Sequence, residues 1–387
     1  MPRTCPAFPP MEAFPFATDR TAAWRMLHDL GEVSVSEQGV YFLTGADAVE
    51  AAAKNPEVFS SQGAFAILGS PVPIVPIAFD PPDHTRYRRM LDKFFSPRSM
   101  AERESDLRRQ AGELIDAIVA TGGTCDVVSA LAVPFPSQVF LTLFGLPLED
   151  RERLIGWKDA ILRFAVVDSP KPTPEVLQLA AEVYAYLSTY VEKRRGQTGS
   201  DLLSQLLADR DEGGMTDAEI IGLCFVFILA GLDTVTAALG FALNALAEDP
   251  TLRRRVVHDD LATSEFIEEL LRVDGPIPYV PRITTADVEI DGVTIPAGST
   301  CWLVLGAASR DSGRYDDPHT IGDKRNNHFA FGRGPHRCLG SHLARLELRL
   351  VIEEWHKRIP EYSVAEAPEV LWPSSTLKLE RLAIKIG

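Results

Sequence analysis

A chain of 387 residues with 45% hydrophobic and 24% charged residues can bury a large core, and length alone allows one large domain or two to three ordinary ones. The formal net charge of -15 sets the surface against nucleic acid and anionic lipid, so neither is expected as a partner. The cysteines Cys5, Cys125, Cys224, Cys301 and Cys338 form no CxxC pair, which fits a reducing, cytoplasmic setting without disulfides.

The N-terminal run Met1-Pro-Arg-Thr-Cys-Pro-Ala-Phe-Pro-Pro is broken by proline and carries no apolar stretch of signal-peptide length, so no membrane anchor is expected there. Ala22, Ala23, Met26, Leu27 and Leu30 repeat at helical spacing; residues 33–44 read as two short strands and 46–54 as a second helix. Residues 59–79 are apolar but punctuated by Gly63, Gly69, Pro71, Pro73 and Pro76, so they form a loop that lines a cavity or packs beneath one. Residues 85 to about 249 are mainly helical, with a start at Ser200-Asp201 and a capping box from Thr216 to Glu219. Strands return at 283–285, at 288–295 around the turn Asp291-Gly292, and at 301–305; a helix follows at about 341–357 and a strand at 377–386. The expected fold class is mainly α with small β-sheets, an α+β arrangement in one domain over 1–387, with strands near 33–44, 283–305 and 377–386 and helices near 85–273 and 341–357.

Residues 220–247 contain, as polar side chains, only Asp233, Thr234, Thr236 and Asn244. Such a segment has the length of a membrane span, but a central Asp facing lipid would cost roughly 2.5–3.5 kcal/mol, so a helix buried through the middle of a large protein is expected. Further on, Phe331-Gly332-Arg333-Gly334-Pro335-His336-Arg337-Cys338-Leu339-Gly340 is a glycine-shaped loop, and Leu343, Leu346, Leu350 and Val351 after it repeat at helical spacing. A cysteine just before a helix has backbone N–H groups to stabilise its thiolate. By itself Cys338 is open to a structural role, or to zinc with His328, His336 and His342, although a structural zinc site would normally add a second cysteine at CxxC-like spacing.

This segment resembles the haem-binding loop of the cytochrome P450 family, F-G-x-G-x-H-x-C-x-G, at every fixed position, and is followed by the similar His342-Leu-Ala-Arg345. Glu269-Leu-Leu-Arg272 resembles the family's E-x-x-R motif, Ala230-Gly-Leu-Asp233-Thr234 its oxygen-activating helix, and Asp80-Pro-Pro-Asp-His84-Thr-Arg-Tyr-Arg88 its haem-flanking segment; Ala308-Ser-Arg310-Asp311 is a variant of A-N-R-D. The resemblance implies the P450 fold and a haem b lying between a long central helix and the cysteine loop. It makes Cys338 the iron ligand, in a loop shaped by Phe331, Gly332 and Gly340, and a thiolate on iron favours O–O cleavage. Ala230 and Gly231 would let the helix backbone approach the macrocycle, and Asp233 with Thr234 would relay protons. His84, Arg88, Arg282 and His336 would hold the propionates, while Glu269 and Arg272 would join Arg325 in locking the loop.

The implied activity is a monooxygenase that inserts one atom of O2 into an organic substrate. No flavin or nicotinamide fingerprint is present, so electrons are expected from a separate ferredoxin or flavodoxin with an NAD(P)H-dependent reductase. The basic residues Lys324, Arg325, Arg333, Arg337, Arg345 and Arg349, against the single acid Glu347, suggest where that partner docks. Ile74, Phe164, Val226, Leu229, Ala230, Tyr279 and Val280 suggest a pocket for a lipophilic small molecule. A cytoplasmic monomer is expected. A peroxide-driven oxygenase of the same fold and a non-catalytic haem sensor are the alternatives.

Overall fold

A computed structural model of the chain describes residues 5–164, 171–208, 214–258, 261–322 and 327–387. Helix α1 (Arg20–Asp29) is started by Asp19, whose carboxylate accepts from Ala22 N at 2.9 Å. The hairpin β1 (Val33–Val35) and β2 (Tyr41–Leu43) follows, then α2 (Ala46–Lys54). These agree with the apolar periodicities read from the sequence. The loop after α2 opens with the short strand β3 (Phe59–Ser60) and leads into α3 (Asp83–Leu91).

The helical region comprises α4 (Pro97–Thr121), α5 (Pro134–Phe144), α6 (Arg151–Phe164), α7 (Pro174–Arg194), α8 (Leu202–Ala208), α9 (Asp217–Gly231), α10 (Thr234–Glu248), α11 (Pro250–Val257) and α12 (Thr263–Val273). It is interrupted by β4 (Thr124–Asp126), which a reading of local periodicity does not anticipate. Gly122 and Gly123, both at positive φ, turn the chain out of α4, and β4 exists because it pairs with β12 (Ala383–Ile386) at the far end of the sequence. Strands β5 (Val280–Thr284), β6 (Val288–Ile290), β7 (Val293–Ile295) and β8 (Thr300–Leu303) come next, with Asp291 and Gly292 at positive φ in the β6–β7 turn. After α13 (Leu305–Ala308) and α14 (Ser341–Arg358) come β9 (Tyr362–Val364), β10 (Glu369–Leu371) and β11 (Lys378–Arg381).

One sheet has the order β1-β2-β8-β5-β3; another has β4-β12-β9. The single strand expected over 377–386 is two strands in different sheets, divided at Leu382: β11 pairs with β10, and β12 with β4 and β9.

The long apolar stretch is also divided. α9 begins with the expected capping box, Thr216 N donating to Glu219 Oε2 at 2.6 Å and Glu219 N to Thr216 Oγ1 at 3.3 Å. It ends at Gly231, and α10 starts afresh at Thr234 after a turn at Leu232 and Asp233. The pair together is long and apolar enough to cross a membrane, but 78% of its most apolar window is buried inside the protein. α9 joins a core with Leu141, Phe144, Leu187 and Leu203, whereas α10 joins one with Ile115, Leu270, Leu350 and Trp355, so the two halves tie the helical layers together.

Candidate functional site

The loop before α14 is built by backbone constraints. Gly332 and Gly334 both lie at φ +66, a region that L side chains rarely enter, and a side chain at Gly334 would overlap the Ala53 carbonyl at the end of α2. Gly332 N donates to Phe329 O at 2.7 Å and Cys338 N to Phe331 O at 2.8 Å, which closes the loop on itself. Cys338 is exposed, although the helix it precedes is largely buried. Surrounding protein pushes its thiol up, opposed by the Gly340 backbone N–H donating to the sulfur and by the charges of Arg88, Arg337 and Arg345. Phe331 lies under the Arg345 guanidinium, 4.4 Å from its ring centre.

Behind the loop, Glu269 and Arg272 on α12 are buried and form a two-pronged pair, Nε to Oε1 and Nη2 to Oε2, each 3.0 Å. Arg272 also donates to the carbonyls of Ser309 (3.3 Å), Pro318 (2.8 Å), Asp317 (3.4 Å) and Thr320 (2.7 Å), and Gly322 N donates to Glu269 Oε2 at 3.1 Å. An irregular stretch is thus held by side chains in place of a ladder. Arg325, expected as the third member of this group, lies outside the described residues.

Four groups from three segments meet at the cysteine loop around His336: His84 and Arg88 on α3, with Arg88 also paired to Asp92 at 3.2 Å, Arg282 on β5, and His336 itself. The His84 and His336 rings are 4.2 Å apart, and Ser61 Oγ is 3.1 Å from His336 Nε2. Burial and then the neighbouring Arg88 push His84 down to about 4, and burial followed by Arg282, His84 and Arg88 pushes His336 to about 2. Arg282 is buried with one side-chain bond, to its neighbour's carbonyl Pro281 O at 2.7 Å, and desolvation lowers it to about 10. A buried guanidinium without a carboxylate is costly. This donor set calls for an anionic group.

At the junction of α9 and α10, Thr234 Oγ1 donates back to Ala230 O at 3.0 Å. Ala230 is exposed on an otherwise buried helix. Gly231 does not serve that opening: a Cβ there would meet the Phe140 ring of α5 at 2.7 and 2.9 Å, so its smallness admits a neighbouring helix. Asp233 is buried, and its Oδ1 accepts from Lys158 Nζ on α6 at 2.6 Å and Lys378 Nζ on β11 at 2.8 Å, while Oδ2 has no partner among the described residues. Burial alone would raise the carboxyl, but the two ammonium groups hold it low.

Among the residues expected to line a pocket, Ile74, Val226 and Leu229 are buried but keep slight exposure, and Ala230 is open. Tyr279 is turned elsewhere. Its ring meets Trp302 at 4.9 Å, its hydroxyl donates to Ser374 O at 3.1 Å, and it lines a small apolar gap with Phe8, Phe16 and Trp24. Val280 starts β5 and leans on the sheet-side core containing Leu43 and Leu303. The Phe164 side chain lies outside the described residues.

A family model described as cytochrome P450 matches residues 28–355. The chain belongs to the cytochrome P450 family. It is 33% identical to a probable cytochrome P450 127A1 of Sinorhizobium fredii over 85% of this chain and 79% of that protein, and 34% identical to a vitamin D(3) 25-hydroxylase of Pseudonocardia autotrophica over 82% and 79%. The structure of a P450 EryK mutant in complex with erythromycin B superposes with TM-score 0.89 at 29% identity, covering 96% of this chain and 97% of that one. The P450 fold is therefore that of this chain, and P450 enzymes of this kind are monooxygenases that carry haem b on a cysteine thiolate. The residues present fit that group: a loop cysteine with an N–H on its sulfur, and a buried Arg282 with Arg88 and two histidine rings as donors suited to two propionates.

Three parts of this P450 site had no signal in the sequence. Lys158 and Lys378 were indistinguishable from surface lysines until the fold set them on Asp233. Glu268, beside the recognised Glu269, accepts both prongs of Arg345 at 2.6 and 2.7 Å and stands 3.2 Å from His328 Nε2; burial would raise it, yet Arg345 and His328 hold it at about 2. The third part is Ser61. The basic patch is also smaller than its count suggested. Arg345 is spent on Glu268, Arg349 on Glu104 and Glu353, and Arg333 on Asn327, while Lys324 and Arg325 lie outside the described residues. Arg337 stays exposed, and no described acidic side chain pairs with it.

Proposed function

We propose that this P450 inserts one atom of O2 into a lipophilic small organic molecule, by hydroxylation or epoxidation, using electrons from a separate ferredoxin or flavodoxin and its NAD(P)H-dependent reductase. The observation that carries this reading is the buried Arg282, which no carboxylate hydrogen-bonds among the described residues, set with His84, His336 and the half-buried Arg88 by the cysteine loop on a chain of this family. The hydroxylase name of the Pseudonocardia relative supports oxygen insertion.

Bound haem b supplies the iron on which O2 is activated. In this reading Cys338 Sγ holds it, and the Gly340 N–H hydrogen bond tempers the charge on the sulfur. Arg282, Arg88 and the two histidines bind the propionates, whose charge would return protons to His84 and His336. Thr234 holds a proton at Oγ1, available once its bond to the Ala230 carbonyl is exchanged for water or substrate. Asp233, kept ionised by Lys158 and Lys378, takes a proton on the buried side of the helix break and moves it inward when one ammonium lets go. Ile74, Val226, Leu229 and Ala230 exclude water and hold an apolar substrate. Arg337 presents positive charge near the cysteine loop to an acidic electron carrier.

Reducing the haem-loaded protein under carbon monoxide tests the core of this reading. A red-shifted Soret band is expected and should vanish in Cys338→Ser; a band that survives the substitution removes Cys338 as ligand. Product formed with peroxide and none with O2, ferredoxin and reductase would make the protein a peroxide-driven oxygenase. Ligand-dependent spectra without product under either oxidant would make it a binding protein.

A further inference from the structure

The loop between β3 and α3 is fastened at its base and along its middle. At the base, Asp80 accepts from Ser61 N at 2.8 Å and from Ser60 Oγ. In the middle, Gly69 lies so close to α7 that a Cβ would press Val176 Cγ1 at 3.0 Å and Leu177 Cδ2 at 3.4 Å, and Ser70 Oγ meets the Tyr184 hydroxyl at 2.7 Å. The Tyr184 ring in turn packs on Phe225 of α9 at 5.1 Å. The tightest approach is at Gly222 of α9: a Cβ there would overlap the Pro73 carbonyl oxygen and reach the Pro73 carbonyl carbon at 3.0 Å and Val72 Cγ2 at 3.4 Å. The loop backbone therefore rests on the helix backbone, at a place only glycine permits.

Gly222 lies on the side of α9 that carries the substrate-facing residues. Gly222, Val226, Leu229 and Ala230 recur at the spacing of one helical face. Val226 and Leu229 keep 8% and 7% exposure where Leu223, Phe225 and Ile228 keep 0–1%, and Ala230 is open; Ile221, at 9%, and the half-buried Phe227 lie off this spacing, and Phe227 packs on Phe95 and Phe144. Eight residues at 1.5 Å each place Gly222 about 12 Å along the axis from Ala230.

We infer that Gly222 sets the reach of the substrate site: the Pro73 carbonyl seated on it closes this apolar face about 12 Å from Ala230, which selects a compact substrate over one extending further along the helix. The inference rests on the haem site proposed above, because Ala230 is the end of the face nearest that chemistry. Gly222→Ala keeps helical backbone preferences satisfied but forces Pro73 outward by roughly a bond length to regain ordinary contact, which lengthens the site.

A molecular ruler tests this. Imidazole and 1-alkylimidazoles with progressively longer tails are titrated into the haem-loaded protein, with the Soret shift reporting ligation at iron. In the wild type each buried methylene should tighten Kd about fourfold, with a break where the tail meets Pro73 and no gain beyond it. Gly222→Ala should move that break to a longer tail. Tyr184→Phe, which keeps the ring but releases Ser70, should move it the same way and carries the test if the alanine variant does not fold. A break at the wild-type tail length in both variants, or no break in the wild type, overturns the inference while imidazole itself still binds. Failure of imidazole to shift the band in haem-loaded protein overturns the haem site, and this inference with it.

Discussion

Arg272→Lys keeps the charge and most of the length of a fully buried side chain, yet the structure predicts a severe loss. Arg272 serves six acceptors: Glu269 Oε1 and Oε2 and the carbonyls of Ser309, Pro318, Asp317 and Thr320. A lysine ammonium has three donors on one atom, so at least three acceptors lose this partner around a side chain that is itself fully buried. At about 1 kcal/mol or more per lost bond to a charged donor, three lost bonds cost about 3 kcal/mol. The carbonyls concerned belong to the stretch that leads into the cysteine loop, so haem retention should fall along with stability. Urea unfolding of the haem-loaded protein, followed in parallel by Soret absorbance and tryptophan fluorescence, measures both. A stability loss below about 1 kcal/mol with unchanged haem retention would show that Arg272 is not what organises that stretch.

Thr234→Ala should raise peroxide release relative to product, and unchanged coupling removes its proton-holding role. Asp233→Asn should lower turnover by about 10²-fold or more while substrate binding stays near wild type, and it should enlarge the solvent isotope effect; a wild-type rate would leave Asp233 as a structural partner of the two lysines. Arg337→Glu should slow partner-dependent reduction and flatten its salt dependence without loss of fold, whereas Arg345→Glu should destabilise through Glu268; equal partner kinetics in Arg337→Glu and wild type would place docking elsewhere. In the haem-free protein His84 is pushed down to about 4 from an ordinary value of 6.5, so the unfolded chain binds more protons between those limits and stability should fall as pH drops through that window. Propionates relieve the shift, so haem-loaded protein should show a shallower slope from pH 7 to 5; identical slopes would mean that His84 does not face the haem.

Much of this chain is legible one segment at a time. α1, α2, α14, the capped start of α9 and the Asp291-Gly292 hairpin follow from periodicity, caps and turn chemistry, all of which act within a few residues. The cysteine loop was legible too, because its glycines and its cysteine are required by local backbone shape and by chemistry at one atom. The division of the 220–247 stretch was not, since the break at Leu232 and Asp233 goes with a carboxylate drawn to lysines on α6 and β11. Nor were β4, Tyr279, Gly231 and the true extent of the basic patch. β4 needs a partner from the C-terminus, Tyr279 follows the N-terminal aromatic cluster, Gly231 answers to Phe140, and Arg345 and Arg349 are spent on acids from other helices. By itself, then, the sequence pointed to the family, the cysteine loop and several helices, because those are set by short-range sterics and residue chemistry. Only the tertiary structure decided which charges are neutralised, which faces stay open and where the loop closes on Gly222, because those depend on groups far apart in the chain meeting in a medium of low dielectric and close packing.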